Sequence, residues 1–339
     1  WLKLFWLKPM HPRNRHREYL DYRGLAERQP SLQRFVFTNS FGTASLDYTD
    51  QEALRELTSC LLSDFYQILG WRIPDGYLCP PVPQRADYIH RVADLLLVPG
   101  PSAEDCEVPA RGATVRGIDI GTGAGCIYCL LGAREYGWSF IGTDIDAGAL
   151  ESARRIVGQN GLEGQIELRR QADARSVFAG VLGSGESVAF CVCNPPFHES
   201  LEQARWSAEG KWRRLGRADQ GGEKNYQGRA NEVCCEGGEV GFIGRMADES
   251  AQPHVRRSCI WFSSLVSRES SIAPIRSRLG ELGARRKCVE LRQGRVTKWV
   301  VFWTFLQRGE RGARLAAMRA PPAGKKRKRA PGSQPAEGS

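Results

Sequence analysis

The chain has 339 residues, 41% of them hydrophobic and 25% charged, enough to bury one large core or two modest ones. No apolar run approaches the roughly 20 residues needed to cross a bilayer, which excludes a helical membrane-spanning protein. The net charge of +10 is concentrated at the ends, because residues 311–339 hold eight Lys or Arg side chains against one acid, leaving about +3 for the body. A second basic cluster, His11-Pro-Arg13-Asn-Arg15-His-Arg17, lies near the start. Basic ends on a near-neutral body point to a polyanionic partner, RNA or DNA, although the tail alone is equally well read as a solvated segment.

Cysteine usage bounds the compartment. An odd count of eleven, with Cys191 and Cys193 in an apolar strand, argues for reduced thiols and an intracellular protein. Cys126-x-x-Cys129 has no second pair at the usual spacing, so no metal site is expected. The chain opens on Trp1 rather than Met, and its true amino terminus is expected upstream.

The stretch 18–105 reads as helical and irregular. Asp50 is placed to cap a helix whose Leu54, Leu57, Leu61, Leu62 and Phe65 form an apolar stripe. Prolines predict an extended path from Pro74 to Pro83, after which Tyr88, Val92, Leu95 and Leu96 resume helical spacing. A polar connection over 103–111 follows. Strands and helices then alternate: strand Val115–Ile120, helix Cys126–Tyr136, strand Ser139–Ile145, helix Asp146–Asn160, strand Gln165–Arg170 and strand 188–193. A helix at Gly238–Glu249, a strand at Cys259–Val266, a helix at Ile272–Leu282 and strands near 287–291 and 299–306 complete the series. Such alternation predicts an α/β fold with a doubly wound, mostly parallel sheet of seven strands, whose binding sites lie outside the strands' carboxyl ends.

Two stretches carry chemistry. GIDIGTGAG after the first of these strands is a glycine loop that lets backbone N–H groups approach a ligand, and Asp144 ends the next strand, placed to accept both hydroxyls of a ribose. Together they favour a nucleoside-containing cofactor. The Gly-x-Gly-x-Gly spacing favours S-adenosyl-L-methionine over a dinucleotide, which is associated with Gly-x-Gly-x-x-Gly. The second stretch is VAFCVCNPPF. Its strand must stop at Asn194 because the two following prolines lack N–H groups. Asn194 and the Pro195 carbonyl can accept hydrogen bonds from an exocyclic amine, Pro196 stiffens the corner and Phe197 offers a stacking face. Asn194, Pro195, Pro196 and Phe197 are the candidate catalytic residues. A plain turn with a core Phe is the alternative for that string taken alone.

HPRNRH, IPDGYLCPPVP-RADYIH, GIDIGTGA, CIY, EYGW, CNPPFH, CEGGE and WFSSLVS, in that order, resemble the bacterial 23S ribosomal RNA adenine-N6-methyltransferase family from His11 to about Leu306, with a more distant similarity to the animal methyltransferase-like protein 16. The resemblance implies a Rossmann-like class I methyltransferase domain over 111–307. It would be preceded by a basic arm over 1–18 and a helical extension over 19–110, and followed by a disordered basic tail over 308–339. It implies S-adenosyl-L-methionine held by Arg85, Asp119, Gly121, Thr122, Gly123, Asp144 and Asp173, adenine held by Asn194 to Phe197, and RNA held in part by Arg13 and Arg15. A monomer acting on ribosomal RNA is expected, in the cytoplasm of a bacterium or, if KKRKR is a nuclear address, in the nucleus or nucleolus. Spliceosomal or messenger RNA, glutamine side chains of a protein, and a catalytically silent RNA-binding module remain alternatives. The chain departs from the family's Gly-Ala-Asn-Cys-Ile-Tyr-Pro loop at Gly125 and Cys129, from its Phe-Gly-Gly-Gln-Asn run at residues 226–230, and from a Trp at Cys234. Residues 198–229 read as a basic, glycine-rich substrate loop.

Overall fold

A computed structural model describes residues 10–18, 20–100, 107–200, 202–203, 229–293 and 296–319. Most of the expected substrate loop, residues 226–228 of the altered run, and the KKRKR run lie outside the described residues.

The extension begins with α1 (Tyr22–Arg28), capped by the Asp21 carboxylate, and a short antiparallel hairpin of β1 (Val36–Thr38) and β2 (Ala44–Leu46) that the sequence reading did not foresee. α2 (Gln51–Tyr66) starts where Asp50 accepts the Glu52 and Ala53 N–H groups, and it buries Leu57, Leu61 and Leu62. α3 (Val82–Ala93) begins before the expected end of the proline path. Pro83 is tolerated in its first turn, where the missing N–H has no helical partner in any case. Leu95 and Leu96 fall past its end, ahead of a two-residue ladder between β3 (Leu97–Val98) and β4 (Val108–Pro109).

The alternating part follows as β5 (Arg116–Ile120), α4 (Ile127–Tyr136), β6 (Ser139–Asp144), α5 (Ala147–Gln159), β7 (Ile166–Arg170), β8 (Val188–Cys193), the single turn α6 (Ala230–Val233), α7 (Gly238–Ala251), α8 (Pro253–Ser258), β9 (Cys259–Val266), α9 (Ile272–Glu281), β10 (Arg285–Gln293), β11 (Val296–Thr304) and α10 (Arg308–Arg319). The seven-stranded sheet has the order β10-β11-β9-β8-β5-β6-β7, parallel from β9 to β7 and antiparallel where β11 joins β9 and β10. Every side chain of β8 is buried, as expected of a strand covered on both faces, and each large apolar one contributes about 1.5–3 kcal/mol. The chain runs outward from β5 to β7 and then returns to the other side of β5 with β8. That reversal opens a crevice at the carboxyl ends. Ile120 stands level with Thr143 on one side and Cys193 on the other, so Gly121, Asp144 and Asn194 emerge at one edge.

The tail expected to be disordered from residue 308 instead forms α10 as far as Arg319. Leu315 is buried, Met318 packs on the core, Arg311 lies over the Trp261 ring and Arg314 pairs with Glu310 one turn back. A Leu–Met edge among strong helix formers outweighs the net charge that suggested disorder. Among the described residues no helix is long and apolar enough to cross a membrane.

Candidate active site

At the crevice lies a cavity of about 410 Å³, within the size range of small-molecule sites. The loop after β5 forms its floor. Gly121 and Gly123 have φ of +72° and +65°, a region that costs a residue bearing a Cβ about 1–2 kcal/mol. A Cβ added to Gly121 would meet nothing within 4 Å, so this glycine leaves open space above the loop that a ligand can take. Thr122 is buried and ties the loop to β6 through its N–H on the Thr143 carbonyl at 2.8 Å.

Gly125, a departure from the family loop, lies against Trp71. The Trp71 indole donates to the Gly125 carbonyl at 2.9 Å, and a Cβ on Gly125 would come 2.9 Å from the same fully buried ring. Gly125→Asn is therefore expected to cost roughly 1–3 kcal/mol through overpacking. A lower melting temperature is the expected readout, and an unchanged one would mean that Trp71 yields freely.

Asp144 is almost fully buried. Its Oδ2 accepts the Gly123 N–H and its Oδ1 the Asp146 N–H, each at 2.9 Å, which leaves lone pairs facing the cavity for hydroxyl donors. Burial raises its pKa against the pull of those two N–H groups. Asp119 is placed otherwise than expected. It is fully buried beneath the loop, does not line the cavity, and takes a hydrogen bond from the Cys129 thiol at 3.6 Å. Burial pushes its pKa up to about 7, opposed by Thr122 and Cys129. An unfolded Asp ionises near ~3.9. Between there and about pH 7 the folded chain holds the extra proton, so this group's contribution to stability falls as pH rises through that window. Asp119→Asn should flatten the dependence, with denaturant unfolding at about pH 5 and pH 8 as the check; equal slopes for both proteins would contradict it.

The corner after β8 meets α3 and α4. Arg85 is buried and among the described residues has no carboxylate partner. Its Nη1 donates to the Tyr128 hydroxyl at 2.9 Å and to Asn194 Oδ1 at 3.2 Å, and its guanidinium lies over the Tyr128 ring. That contact fixes which end of the Asn194 amide is the acceptor. Tyr88, fully buried, is reached by the Cys193 N–H at 3.4 Å and bonds Ser263 at 2.9 Å, which steadies the strand end. Asn194 and Pro196 line the cavity, whereas Pro195 is buried behind it. Phe197 is half-buried beside the cavity, with the Lys298 ammonium 5.1 Å from its ring centre. A cation thus already occupies one face of the expected stacking platform.

Asp173, expected at the cofactor, lies elsewhere, while Arg13 and Arg15, expected at RNA, lie on the basic arm. Asp173 is exposed and folds back on its own turn, accepting the Arg175 N–H at 3.0 Å, while Gln171 and Arg175 line the cavity on either side of it. Arg13 donates to the Tyr136 hydroxyl, the His90 carbonyl and Asp94. Arg15 pairs with Glu135, reaches the Phe65 carbonyl and lies over the Tyr66 ring. Both guanidiniums dock the basic arm on the body, and neither lines the cavity. Asn14 completes that docking through Pro83 and Asp87.

Tyr128, Gln171 and Glu232, none of them among the expected site residues, also line the cavity. Tyr128 lay within a noted motif but had no assigned partner until the fold brought Arg85 to it. Glu239 of CEGGE is structural, since it accepts from the Ser267 N–H, the Ser267 hydroxyl and the Arg268 N–H. Cys126 and Cys129 are buried with Thr122, and among the described residues no three His, Cys, Asp or Glu side chains gather as metal ligands.

Residues 6–307 match the model of a family described as RNA methyltransferase. Ribosomal RNA large subunit methyltransferase F of Stutzerimonas stutzeri is 46% identical over 308 residues, covering 90% of this chain and 92% of that protein. The enzyme of the same name from Pseudomonas savastanoi pv. phaseolicola is 44% identical over 307 residues, covering 89% and 91%. Among solved structures, the human METTL16 catalytic domain in complex with the MAT2A 3'UTR hairpin 1 superposes with a TM-score of 0.75 at 32% identity, over 89% of this chain and 97% of that one. The N-terminal domain of human METTL16 in complex with SAH gives 0.68 at 32% identity, over 88% and 99%. Matched over nearly its whole folded length, the chain belongs to this RNA methyltransferase family.

Proposed function

We propose that this chain transfers a methyl group from S-adenosyl-L-methionine to the exocyclic amino nitrogen of an adenine in large-subunit ribosomal RNA. The observation that carries this reading is the convergence of Gly121, Asp144 and Asn194 at one sheet edge, with buried Arg85 on the Asn194 amide oxygen. The residues present fit the cofactor. Open space over Gly121 admits it, Asp144 has lone pairs for a ribose diol, and Arg85, which has no carboxylate partner among the described residues, can take an amino-acid carboxylate.

When bound, the cofactor supplies a methyl group activated by a positively charged sulfur. The protein's task is to make a poor nucleophile attack. The amine lone pair of adenine is delocalised into its ring, and an acceptor at Asn194 Oδ1 draws an N–H bond out of the ring plane, localising that pair. Arg85 holds the Asn194 oxygen in place for this. The nitrogen would gain the methyl group as the methyl–sulfur bond breaks, its electron pair staying on sulfur, and would then release a proton to water, so no strong base is required before the bond forms. The base must be unpaired or extruded to reach the corner, since pairing hides its amino group. The bacterial source of the similar enzymes supports a cytoplasmic site of action.

Incubation with tritiated S-adenosylmethionine and either total bacterial RNA or total protein tests the assignment. Label is expected in large-subunit RNA. Label in protein glutamine would overturn the RNA reading, and label confined to a messenger or small nuclear RNA hairpin would overturn the ribosomal one.

A further inference from the structure

Glu232, in the single turn α6, faces the glycine loop. Its Oε2 accepts two backbone N–H groups, from Arg229 at 2.9 Å and Leu78 at 3.1 Å. Oε1 accepts from no protein donor among the described residues and points at the loop, where a Cβ on Gly123 would lie 3.7 Å from it. Gly123 gives its N–H to Asp144, so two carboxylates flank one glycine and both line the cavity. No Lys or Arg among the described residues neutralises Glu232. Burial raises its pKa against the two N–H bonds, with Asp144 and Asp146 adding to the rise.

This placement is held by a clasp. Arg229 pairs with Asp146 at 3.1 Å and lies 4.1 Å over the Tyr77 ring, while the Tyr77 hydroxyl donates to the same Asp146 oxygen at 3.0 Å. The segment is also joined to the residue after Phe197, because the His198 N–H donates to the Val233 carbonyl and the Cys235 N–H to the His198 carbonyl, each at 2.9 Å. A side chain fixed through one oxygen, with the other turned into a cavity, is set to receive donors from a ligand. Two neighbouring acceptor carboxylates match two neighbouring hydroxyl donors.

We propose that Glu232 is a second acidic anchor for the cofactor's sugar, sharing the ribose diol with Asp144, and that the Arg229–Cys235 segment ties sugar binding to the catalytic corner. This rests on the cofactor reading above. The test is calorimetry of wild type, Glu232→Gln and Glu232→Ala with S-adenosylhomocysteine and with methylthioadenosine, which keeps the diol but lacks the amino acid. Gln keeps an oxygen for the two N–H groups, and melting curves without ligand confirm that each variant folds. Both ligands should weaken by the same factor, roughly tenfold or more in Ala. Weakening of S-adenosylhomocysteine alone would place Glu232 on the ammonium and overturn the proposal, as would unchanged affinities in folded variants. If wild type binds neither ligand, the cofactor reading itself fails.

Discussion

Asn194→Ala is expected to lower turnover by at least two orders of magnitude, the scale on which deletion of a single group aimed at developing charge acts. Cofactor affinity should stay within about threefold, because the acceptor base is proposed to sit on Asn194 and the sugar on Asp144, across the intervening strand β5. Asn194→Asp keeps an acceptor facing Arg85 and should retain more activity than Ala. Single-turnover rates with calorimetry of S-adenosylhomocysteine separate the two effects. If affinity fell as far as turnover did, Asn194 would be a cofactor ligand and the role of amine acceptor would be lost.

Arg85 has the second large effect, and it should be a double one. Removing the guanidinium leaves the Tyr128 hydroxyl and Asn194 Oδ1 without their donor, and leaves an amino-acid carboxylate without its cation. Arg85→Ala should weaken the cofactor by about ten- to a hundredfold, corresponding to the ~1.5–3 kcal/mol of a hydrogen bond to a charged group. It should also slow the methyl transfer step. Arg85→Lys should not rescue either, since a point charge on a flexible stem cannot serve Tyr128, Asn194 and a carboxylate together. The rate effects of Arg85→Ala and Asn194→Ala should be non-additive, because one residue orients the other. Unchanged cofactor affinity in Arg85→Ala, with only the rate reduced, would confine Arg85 to positioning Asn194.

The parts of the site visible in the sequence were those set by backbone. A β-branched run into Gly121 and Gly123, a strand ending at Asp144, and prolines that stop β8 at Asn194 each announce a strand end, and parallel register brings the three ends together. What could not be read was which side chains close over that edge from distant sequence. Glu232 reaches Leu78 across 154 positions, and Arg85 reaches Asn194 across 109. Nothing local marks either pair. Asp173 shows the converse. It carries the charge expected of a ligand contact, yet the fold gives it its own turn. Likewise α10 was hidden by composition, because the Leu315 stripe that packs it is short and surrounded by arginines.

The central claim is that the Asn194 corner methylates the amino nitrogen of adenine. It is tested most directly by digesting large-subunit ribosomal RNA, after incubation with S-adenosylmethionine and either wild type or Asn194→Ala, and separating the nucleosides by mass spectrometry. N6-methyladenosine with wild type and none above background with the variant is the predicted result. A methyl group on a ring carbon, on a ribose hydroxyl or on another base would contradict the account.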